Sequence, residues 1–503
     1  MKVVALSIFA AVLLSLSFSS FNLWLFAWCG FIPLFMALEN KPLRQVLVIA
    51  LICGVTFWSL TVYWLIHVTL LGQVILILYL SVYFILFGCA VYFSRFLSVG
   101  SRLFFLPASW VFLEYLRSYL FTGFPWALIG FSQYRNLPVI QIADITGAWG
   151  VCFLVILVNT ALYLFLRRNG GKKILLISVL VLTLSLSYGV AKLNYQSDWC
   201  NGKEQLRVSV VQGNIPQDLK WDKRAVAFIQ NRYRDLTVDA ALGKPELIIW
   251  PEASVPGLWG RDDAEFMQVF SLASQLNTNL LVGTVAYSNQ NYSNSALLIN
   301  GSGIPIANYS KLHLVPFGEY IPLKNIFPFL ETIAPIGDIQ PGKEYTIFKL
   351  HPALSERPVR AFAQPANFGV LICFEDLFPE LSREFVKRGA RFLVNITNDA
   401  WYKEGSAPYQ HFAASVFRSV ENRVYLARAA NTGISGFIDP CGRISGVIRN
   451  TAGKEIFVEG CSSRNICLAL AKRTIYNRYG DFFPVFCLLL DVCVIICFLR
   501  NKK

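Results

Sequence analysis

Three residues of the kinds used in covalent catalysis lie at predicted strand ends. Glu252 follows the apolar run Leu247–Trp250, and Cys373 follows the run Phe368–Ile372. Lys311 lies in a third segment, between these two. A cysteine needs a base to become a nucleophile, and a carboxylate with a raised pKa can serve as that base. A nearby lysine stabilises the negative charge of a tetrahedral intermediate. The three residue types together indicate nucleophilic catalysis at a cysteine.

Cys373 is placed at a predicted strand-to-helix turn. The run Phe368–Ile372 predicts a buried strand, and Leu377–Arg388 has helical spacing. Backbone N–H groups and the positive end of a helix dipole at such a turn favour a thiolate and can bind an oxyanion. The alternative is that Cys373, one of twelve cysteines, only fills a core.

The composition predicts several membrane spans. The chain has 503 residues, of which 55% are hydrophobic, and its mean hydropathy is +0.49. These values are too apolar for a soluble protein of this size and imply several membrane spans. The apolar segments along the chain predict about eight transmembrane helices. The predicted spans lie near residues 3–19, 23–39, 46–69, 73–94, 103–120, 147–166, 174–193 and 482–499.

The positions of Lys and Arg predict the topology. They cluster in alternate loops, and the positive-inside rule places those loops and both termini in the cytoplasm. Residue 195 then lies outside. The formal net charge of +14 is therefore explained by topology, and nucleic-acid binding is not expected. We expect a membrane domain at 1–194, an outer catalytic domain at 195–480, and a last span with a cytoplasmic tail at 481–503.

The insertion at 195–480 alternates predicted strands and helices, which indicates an α/β layered domain. The predicted strands are Leu206–Val211, Glu246–Trp250, Asn279–Val285, Ser295–Asn300, Phe368–Ile372 and Arg391–Ile396. The predicted helices are Arg224–Leu242, Asp263–Asn277, Leu377–Arg388 and Gln410–Ala429. The segment Ile321–Gly342 is apolar but loop-like, and it could either dip into lipid or fold over the core of its own domain.

The motifs around the three candidate residues resemble those of the nitrilase superfamily. They read W-P-E at Glu252, K-L-H-L-V-P-F-G-E from Lys311, and C-F-E-D from Cys373. The membrane spans narrow the resemblance to the apolipoprotein N-acyltransferase family, the membrane-bound branch. Further segments fit that branch, namely Gly123–Trp126, Gln141–Asp144, Val211–Pro216, Lys220-Trp221 and Asn398–Trp401.

The resemblance implies a fold and a role for each site residue. The fold is an α-β-β-α sandwich with a Glu-Lys-Cys triad at its strand ends. Glu252 would be the general base, Lys311 the cation facing the oxyanion, and Cys373 the nucleophile. Supporting residues would be Glu319, Glu375 and the backbone N–H of Phe374, and pocket walls would be Trp221 and Trp401. Two departures from the family pattern are Phe374, where a Tyr is usual, and Tyr402-Lys403, where Phe and Gly are usual.

The resemblance also implies the reaction. A phospholipid, expected to be phosphatidylethanolamine, would donate an acyl chain to Cys373 as a thioester. The α-amino group of a diacylglyceryl-cysteine at the N-terminus of an apolipoprotein would then accept it, as the last step of lipoprotein maturation. We expect a bacterial inner-membrane enzyme without a metal or other cofactor. The oligomeric state is open, and a monomer is compatible with the sequence.

Two other functions are compatible with parts of the sequence. The same triad with water as acceptor would make a membrane-anchored amidase or other hydrolase. A transporter or receptor with a degenerate outer domain would not need Cys373 at all. The eight predicted spans favour lipid substrates over either alternative, since both proposed substrates carry long acyl chains.

Several further residues carry expectations of their own. Glu114 and Arg117 are three residues apart on one predicted helix, so we expect an ion pair. Asp144 and Asp491 fall near predicted spans and could guide a substrate. The oxidising outer compartment allows disulfides, but the sequence assigns no pairing among Cys200, Cys441, Cys461 and Cys467.

Overall fold

The computed structural model describes residues 1–168, 171–195, 200, 204–321, 339–350, 365–468 and 473–501. The chain divides into two compact units. The first comprises Met1–Gln196, Gly405–Phe417 and Thr474–Lys503. The second comprises Ser197–Glu404 and Arg418–Arg473. Most of the apolar arm predicted at Ile321–Gly342 lies outside the described residues.

The first unit is helical. Its helices are α1 (Lys2–Leu16), α2 (Phe31–Leu38), α3 (Leu43–Thr61), α4 (Leu70–Ser94), α5 (Val99–Tyr119), α6 (Leu137–Ile140), α7 (Ala143–Thr146), α8 (Ala148–Leu166) and α9 (Gly171–Tyr195). Near the C-terminus follow two more, which are labelled α14 (Ile475–Tyr479) and α15 (Phe482–Asn501) below. Within the described residues, five helices are long and apolar enough to cross a membrane, namely α3, α4, α8, α9 and α15.

The prediction of eight membrane-spanning helices is therefore supported for five of them. The first predicted span forms only the 15 residues of α1. The second is interrupted, since a short 3₁₀ turn at Trp24–Trp28 precedes the eight-residue α2. The fifth span corresponds to α5, which is long but carries Arg102, Glu114 and Arg117. An average hydropathy over a whole segment stays high despite a short interruption or a few charged residues, so it does not show these features.

The predicted ion pair within α5 is present. An Nη of Arg117 lies 3.8 Å from a carboxylate oxygen of Glu114, and both side chains are buried. Arg117 also donates to the backbone carbonyls of Phe124 and Trp126, at 2.7 and 2.8 Å. The backbone N–H of Ile129 donates to Glu114 at 2.8 Å. The pair thus binds α5 to the connection that follows it.

Asp144 and Asp491 also have partners inside the helical unit. Asp144 accepts from the hydroxyl of Tyr188 at 2.7 Å and lies 3.4 Å from the ammonium of Lys192. Asp491 accepts from the hydroxyl of Ser109 at 2.9 Å. These contacts give both carboxylates a structural role between helices. A substrate-guiding role for them stays a prediction.

The second unit contains two β-sheets. The first sheet consists of β13 (Gly460–Leu468), β1 (Glu204–Gln212), β2 (Leu247–Ile249), β4 (Asn279–Ser288), β5 (Asn291–Ile299) and β6 (Pro305–Ser310) in that order, with β3 (Leu258–Trp259) beside β4. The second consists of β12 (Ile444–Ser445), β11 (Gly436–Ile438), β10 (Tyr425–Ala430), β9 (Phe392–Thr397), β8 (Ala366–Ile372) and β7 (Phe348–Leu350).

Helices pack on both sheets. On the first sheet, α10 (Val226–Ala241) and α11 (Asp263–Leu276) share a buried apolar core with β1, β2, β4 and β5. On the second, α12 (Pro379–Lys387) packs so closely on β8 that a Cβ on Gly369 would lie 2.5 Å from the ring of Phe385. Helix α13 (Ala407–Asn422) begins in the first unit and ends in the second, before β10. This arrangement is the expected layered α/β domain.

Two local predictions are wrong. The predicted helix Gln410–Ala429 ends at Asn422, and Tyr425–Ala430 is a central strand that pairs in parallel with β9. The left-handed Arg423, with φ of +54°, ends the helix there. After Cys373, the predicted helix begins only at Pro379, because residues Cys373–Leu377 form a 3₁₀ turn. Helical spacing alone does not exclude a buried strand or a tight turn.

A disulfide links Cys200 to Cys467 near the two ends of this unit. Cys467 lies on β13, and Cys200 lies just before β1, with which β13 pairs in antiparallel fashion. The Cα atoms are 5.5 Å apart, within the usual range for a disulfide. Cys441 and Cys461 are free thiols. The structure therefore assigns one pairing among the four cysteines that the sequence left open.

Candidate active site

Cys373 lies at a strained turn directly after β8. Its φ of +52° is a left-handed conformation that non-glycine residues adopt rarely and that often marks a functional site. On the neighbouring strand β9, the side chain of Asn395 donates to the carbonyls of Leu371 and Cys373, at 3.3 Å each. The cysteine side chain is buried. The turn is therefore held by its neighbouring strand.

Glu375 connects this turn to the segment that carries Lys311. Its Oε1 accepts from the hydroxyl of Tyr309 at 2.8 Å and from the backbone N–H groups of Leu312 and His313, at 2.7 and 3.1 Å. Its Oε2 accepts from the N–H of Ile372 at 2.7 Å. Burial raises the pKa of Glu375 to about 7. Glu375, which the sequence analysis named as a supporting residue, thus bonds to the backbone of both segments.

Lys311, Glu319 and Glu252 are joined through Asn294. The ammonium of Lys311 lies 2.7 Å from Glu319. The Nδ2 of Asn294 donates to Glu252 at 2.6 Å and to Glu319 at 2.8 Å. The backbone N–H of Lys311 donates to the carbonyl of Asn294 at 2.8 Å. The sequence analysis did not identify Asn294 as a site residue, although its place directly before the predicted apolar strand Ser295–Asn300 could have indicated one.

Glu252 follows β2 on a tightly packed loop. Ala253 after it is left-handed, with φ of +46°. A Cβ on Gly283 would lie 2.6 Å from the Cα of Glu252, so only glycine at 283 lets the loop pass this close to β4. The Nζ of Lys220 donates to the backbone carbonyl of Glu252 at 2.9 Å. The carboxylate is thus presented by a loop that is fixed on two sides.

The charges of Glu252 and Lys311 both act on the thiol of Cys373, so the three predicted catalytic residues lie close together. Burial raises the pKa of the Cys373 thiol well above its usual value, and the charge of Glu252 raises it further. Lys311 opposes both effects. Burial therefore opposes the thiolate that the turn was expected to favour. A protonated thiol beside a carboxylate and an ammonium can react only when the carboxylate takes its proton.

A buried arginine lies behind the nucleophile turn. Nη1 of Arg428 donates to Asp376 and to Asn395, each at 2.7 Å, and its Nη2 lies 3.5 Å from Asp399. All four side chains are fully buried. Asp399 contributes to the raised pKa of Cys373. This network was missed from sequence, since nothing in the sequence indicates that Arg428 is buried.

The remaining predicted residues lie around the turn. The ring of Phe374 packs 5.3 Å from that of Phe378. Trp221 and Trp401 are 56% and 51% exposed, so both indoles are available for contact with a substrate. Burial raises the pKa of Tyr402 well above its usual value, and the charge of Cys373 contributes next. Tyr402, noted in the sequence as a departure from the family pattern, therefore lies near the nucleophile.

Comparisons with known proteins agree with the two-unit architecture. The family described as "Apolipoprotein N-acyltransferase N-terminal domain" matches residues 10–161. The family described as "Carbon-nitrogen hydrolase" matches residues 207–459. The second match supports a nitrilase-like fold for the sheet-containing unit.

Individual relatives are similar over most of the chain. An apolipoprotein N-acyltransferase of Geobacter metallireducens is 37% identical, over 99% of this chain and 95% of that protein. One of Rickettsia prowazekii is 32% identical, over 82% of this chain and 81% of that protein. Among solved structures, an amidase from Nesterenkonia sp. is 16% identical over 57% of this chain and 97% of its own, with a TM-score of 0.40. A structural similarity this distant carries no argument about activity.

Proposed function

We propose, since the chain belongs to the apolipoprotein N-acyltransferase family, that it transfers an acyl chain from a phospholipid to the N-terminal diacylglyceryl-cysteine of apolipoproteins. The family membership supports N-acyltransferase activity. The observation that carries the mechanism is the buried group of Cys373, Glu252 and Lys311, in which a thiol of raised pKa is influenced by one carboxylate and one ammonium. A reaction in two half-steps follows from their chemistry.

In the first half-step, Glu252 accepts the thiol proton while Sγ of Cys373 attacks the ester carbonyl of the phospholipid. The resulting oxyanion is stabilised by the ammonium of Lys311 and by the backbone N–H of Phe374. When the intermediate collapses, the C–O bond breaks and Glu252 returns its proton to the leaving alkoxide. The products are a thioester on Cys373 and a lysophospholipid.

In the second half-step, the free α-amino group of the acceptor attacks the thioester carbonyl. The ammonium of Lys311 again faces the oxyanion, and Glu252 accepts the proton that the amine loses. The C–S bond breaks, an amide forms, and the proton on Glu252 returns to the sulfur of Cys373. The enzyme ends as it began. The lysophospholipid leaves before the amine attacks, so the reaction is ping-pong, and neither half-step uses a cofactor.

Supporting roles follow from the contacts. Glu319 pairs with Lys311, and Glu375 binds the backbone on both sides of the site. The exposed Trp221 and Trp401 would contact the acyl chains or head group of the substrates. Phosphatidylethanolamine is the proposed donor. The departure at Phe374 leaves the backbone N–H in place and removes only a side-chain hydroxyl.

We also propose a bacterial inner-membrane location with a periplasmic catalytic domain at 195–480 and cytoplasmic termini. The proposal rests on the positive-inside pattern and on the five apolar helices. The shorter helices α1 and α2 and the charged α5 would complete seven crossings before residue 195. The disulfide between Cys200 and Cys467 supports an oxidising compartment for this domain.

The test is intact-mass analysis of the purified full-length protein after incubation with phosphatidylethanolamine in mixed micelles. We expect one acyl adduct that maps to Cys373 and disappears when a diacylglyceryl-cysteine peptide is added, with the amide as product. Cys373→Ala should form no adduct, whereas the matched control Cys461→Ser should behave as wild type. Fatty acid release without amide formation would instead establish a hydrolase. Acyl transfer by Cys373→Ala would contradict the mechanism.

A further inference from the structure

A second lysine lies at the candidate active site, and the reaction above gives it no role. Lys220 is on the loop between β1 and α10 and is only 5% exposed. Its Nζ donates to the backbone carbonyl of Glu252 at 2.9 Å. Among the residues that the structure describes, this is the one hydrogen bond its ammonium makes, and no carboxylate lies within ion-pair distance. A buried ammonium without an ion-pair partner is costly, so it calls for an explanation.

The two buried lysines differ in what their charges face. Lys311 is paired with Glu319 at 2.7 Å. Lys220 instead lies behind the loop that presents Glu252, in a narrow crevice shared with Ala253, Ser254 and Tyr233. Lys311 is therefore charged whatever the state of the thiol. Among the described residues, the positive charge of Lys220 is favoured only by the negative charges of Glu252 and of the Cys373 thiolate.

The backbone at Glu252 needs such a contact. Ala253 is left-handed, and Gly283 permits the backbone of β4 to approach the loop from one side. The ammonium of Lys220 binds the carbonyl of Glu252 itself. The left-handed Ala253 strains this loop, and the charged hydrogen bond from Lys220 holds it. The position of Glu252 therefore depends on that bond.

We propose that Lys220 is a positioning residue that holds Glu252 on its loop and supplies a second positive charge that stabilises the thiolate of Cys373. The proposal rests on the proposed role of Glu252 as the base. Thiolate formation moves a proton from Sγ to the Glu252 carboxylate, and the charge of Lys220 then acts on the negative sulfur together with that of Lys311.

The charged groups around Lys220 agree with this role. Burial lowers the pKa of Lys220 to about 8, and the charges of Glu252 and Cys373 oppose that effect. Tyr233, which faces Lys220 from α10, stays neutral because burial raises the pKa of its phenol. Asp399 also acts on Cys373, and its negative charge disfavours the thiolate, whereas Tyr402 stays neutral because burial raises the pKa of its phenol. A second cation therefore offsets the negative charge that disfavours the thiolate of Cys373.

The test measures alkylation of Cys373 by iodoacetamide as a function of pH in the full-length protein, by mass spectrometry of the peptide that contains it. The alkylation rate follows the thiolate population. We expect Lys220→Met to move the profile to higher pH, with a rate about tenfold lower than wild type near pH 8. The matched control is Lys223→Met, which removes a nearby lysine on the exposed surface and should leave the profile unchanged.

Lys220→Arg keeps the test decisive if the Met variant does not fold. An arginine does not lose its charge, so above pH 8 the Arg variant should be alkylated faster than wild type, whose Lys220 becomes neutral there. A profile of Lys220→Met identical to wild type, or of Lys220→Arg identical above pH 8, would overturn the proposal. The assay contains no lipid, so its outcome is independent of whether Cys373 accepts an acyl chain from a phospholipid.

Discussion

The ammonium of Lys311 lies 2.7 Å from the carboxylate of Glu319, and both side chains are buried. Burial by itself lowers the pKa of Lys311. The negative charge of Glu319 and, next, those of Cys373 and Glu252 outweigh burial, so the pKa of Lys311 is raised above its usual value. Lys311 therefore stays charged at physiological pH, as a cation that faces an oxyanion must.

Glu319→Gln should remove this support while keeping the shape of the side chain. The buried ammonium of Lys311 would lose its ion pair, so its pKa should fall and its stabilisation of the oxyanion should weaken. We expect kcat for acyl transfer to fall by about 10²-fold or more. The control Glu404→Gln removes an exposed carboxylate that pairs with Lys454, and it should leave kcat unchanged. A wild-type kcat in Glu319→Gln would show that the pair is not needed.

Asn294→Leu should disturb two carboxylates together. The amide of Asn294 donates to Glu252 and Glu319 at 2.6 and 2.8 Å, so its loss leaves two negative groups facing an apolar side chain. Hydrogen bonds to charged groups contribute about 1.5–3 kcal/mol each, and we expect acyl-enzyme formation to slow by about tenfold to a hundredfold. Single-turnover mass analysis measures this rate. The exposed Asn291 on the same strand gives the control Asn291→Leu, which should react at the wild-type rate.

Glu375 should make stability depend on pH. Its pKa is about 7 in the folded protein, above that of a free glutamate, because burial disfavours the charge. The folded state then holds more protons than the unfolded state between pH of about 4.3 and 7, so this contribution to stability falls as pH rises through that window. Glu375→Gln cannot titrate, and thermal unfolding should show wild type losing stability relative to this variant as pH rises. A difference in Tm that is constant with pH would contradict the assignment.

Lys403→Gly should stabilise the protein. Lys403 is exposed and has φ of 52° and ψ of −166°, a conformation that glycine adopts freely and that costs other residues about 1–3 kcal/mol. We expect the Gly variant to unfold at a higher Tm by an amount that corresponds to at least about 1 kcal/mol. Lys403→Ala keeps the Cβ and hence the strain, so it should show no such gain. Equal Tm values for the two variants would mean that the backbone is not strained at this position.

The layered α/β domain could be predicted because strands and helices alternate with clear apolar periodicity. The predicted strand at Phe368–Ile372 lies within β8, and the predicted helix at Asp263–Asn277 is α11 to within one residue. The prediction was wrong at Gln410–Ala429, where β10 is a fully paired central strand. A segment buried on all sides loses the periodicity that separates strand from helix.

The sequence by itself determined which residue types meet at the candidate site, because Glu252, Lys311 and Cys373 stand in recognisable motifs. It also determined the apolar character of the helical unit. Only the tertiary structure decided what surrounds these groups, namely Asn294 between two carboxylates, Lys220 behind Glu252, and Arg428 behind the nucleophile turn. Hydrogen bonds and desolvation act between residues that are distant in the chain, so the raised pKa of Cys373 follows from packing and cannot be derived from its neighbours in sequence.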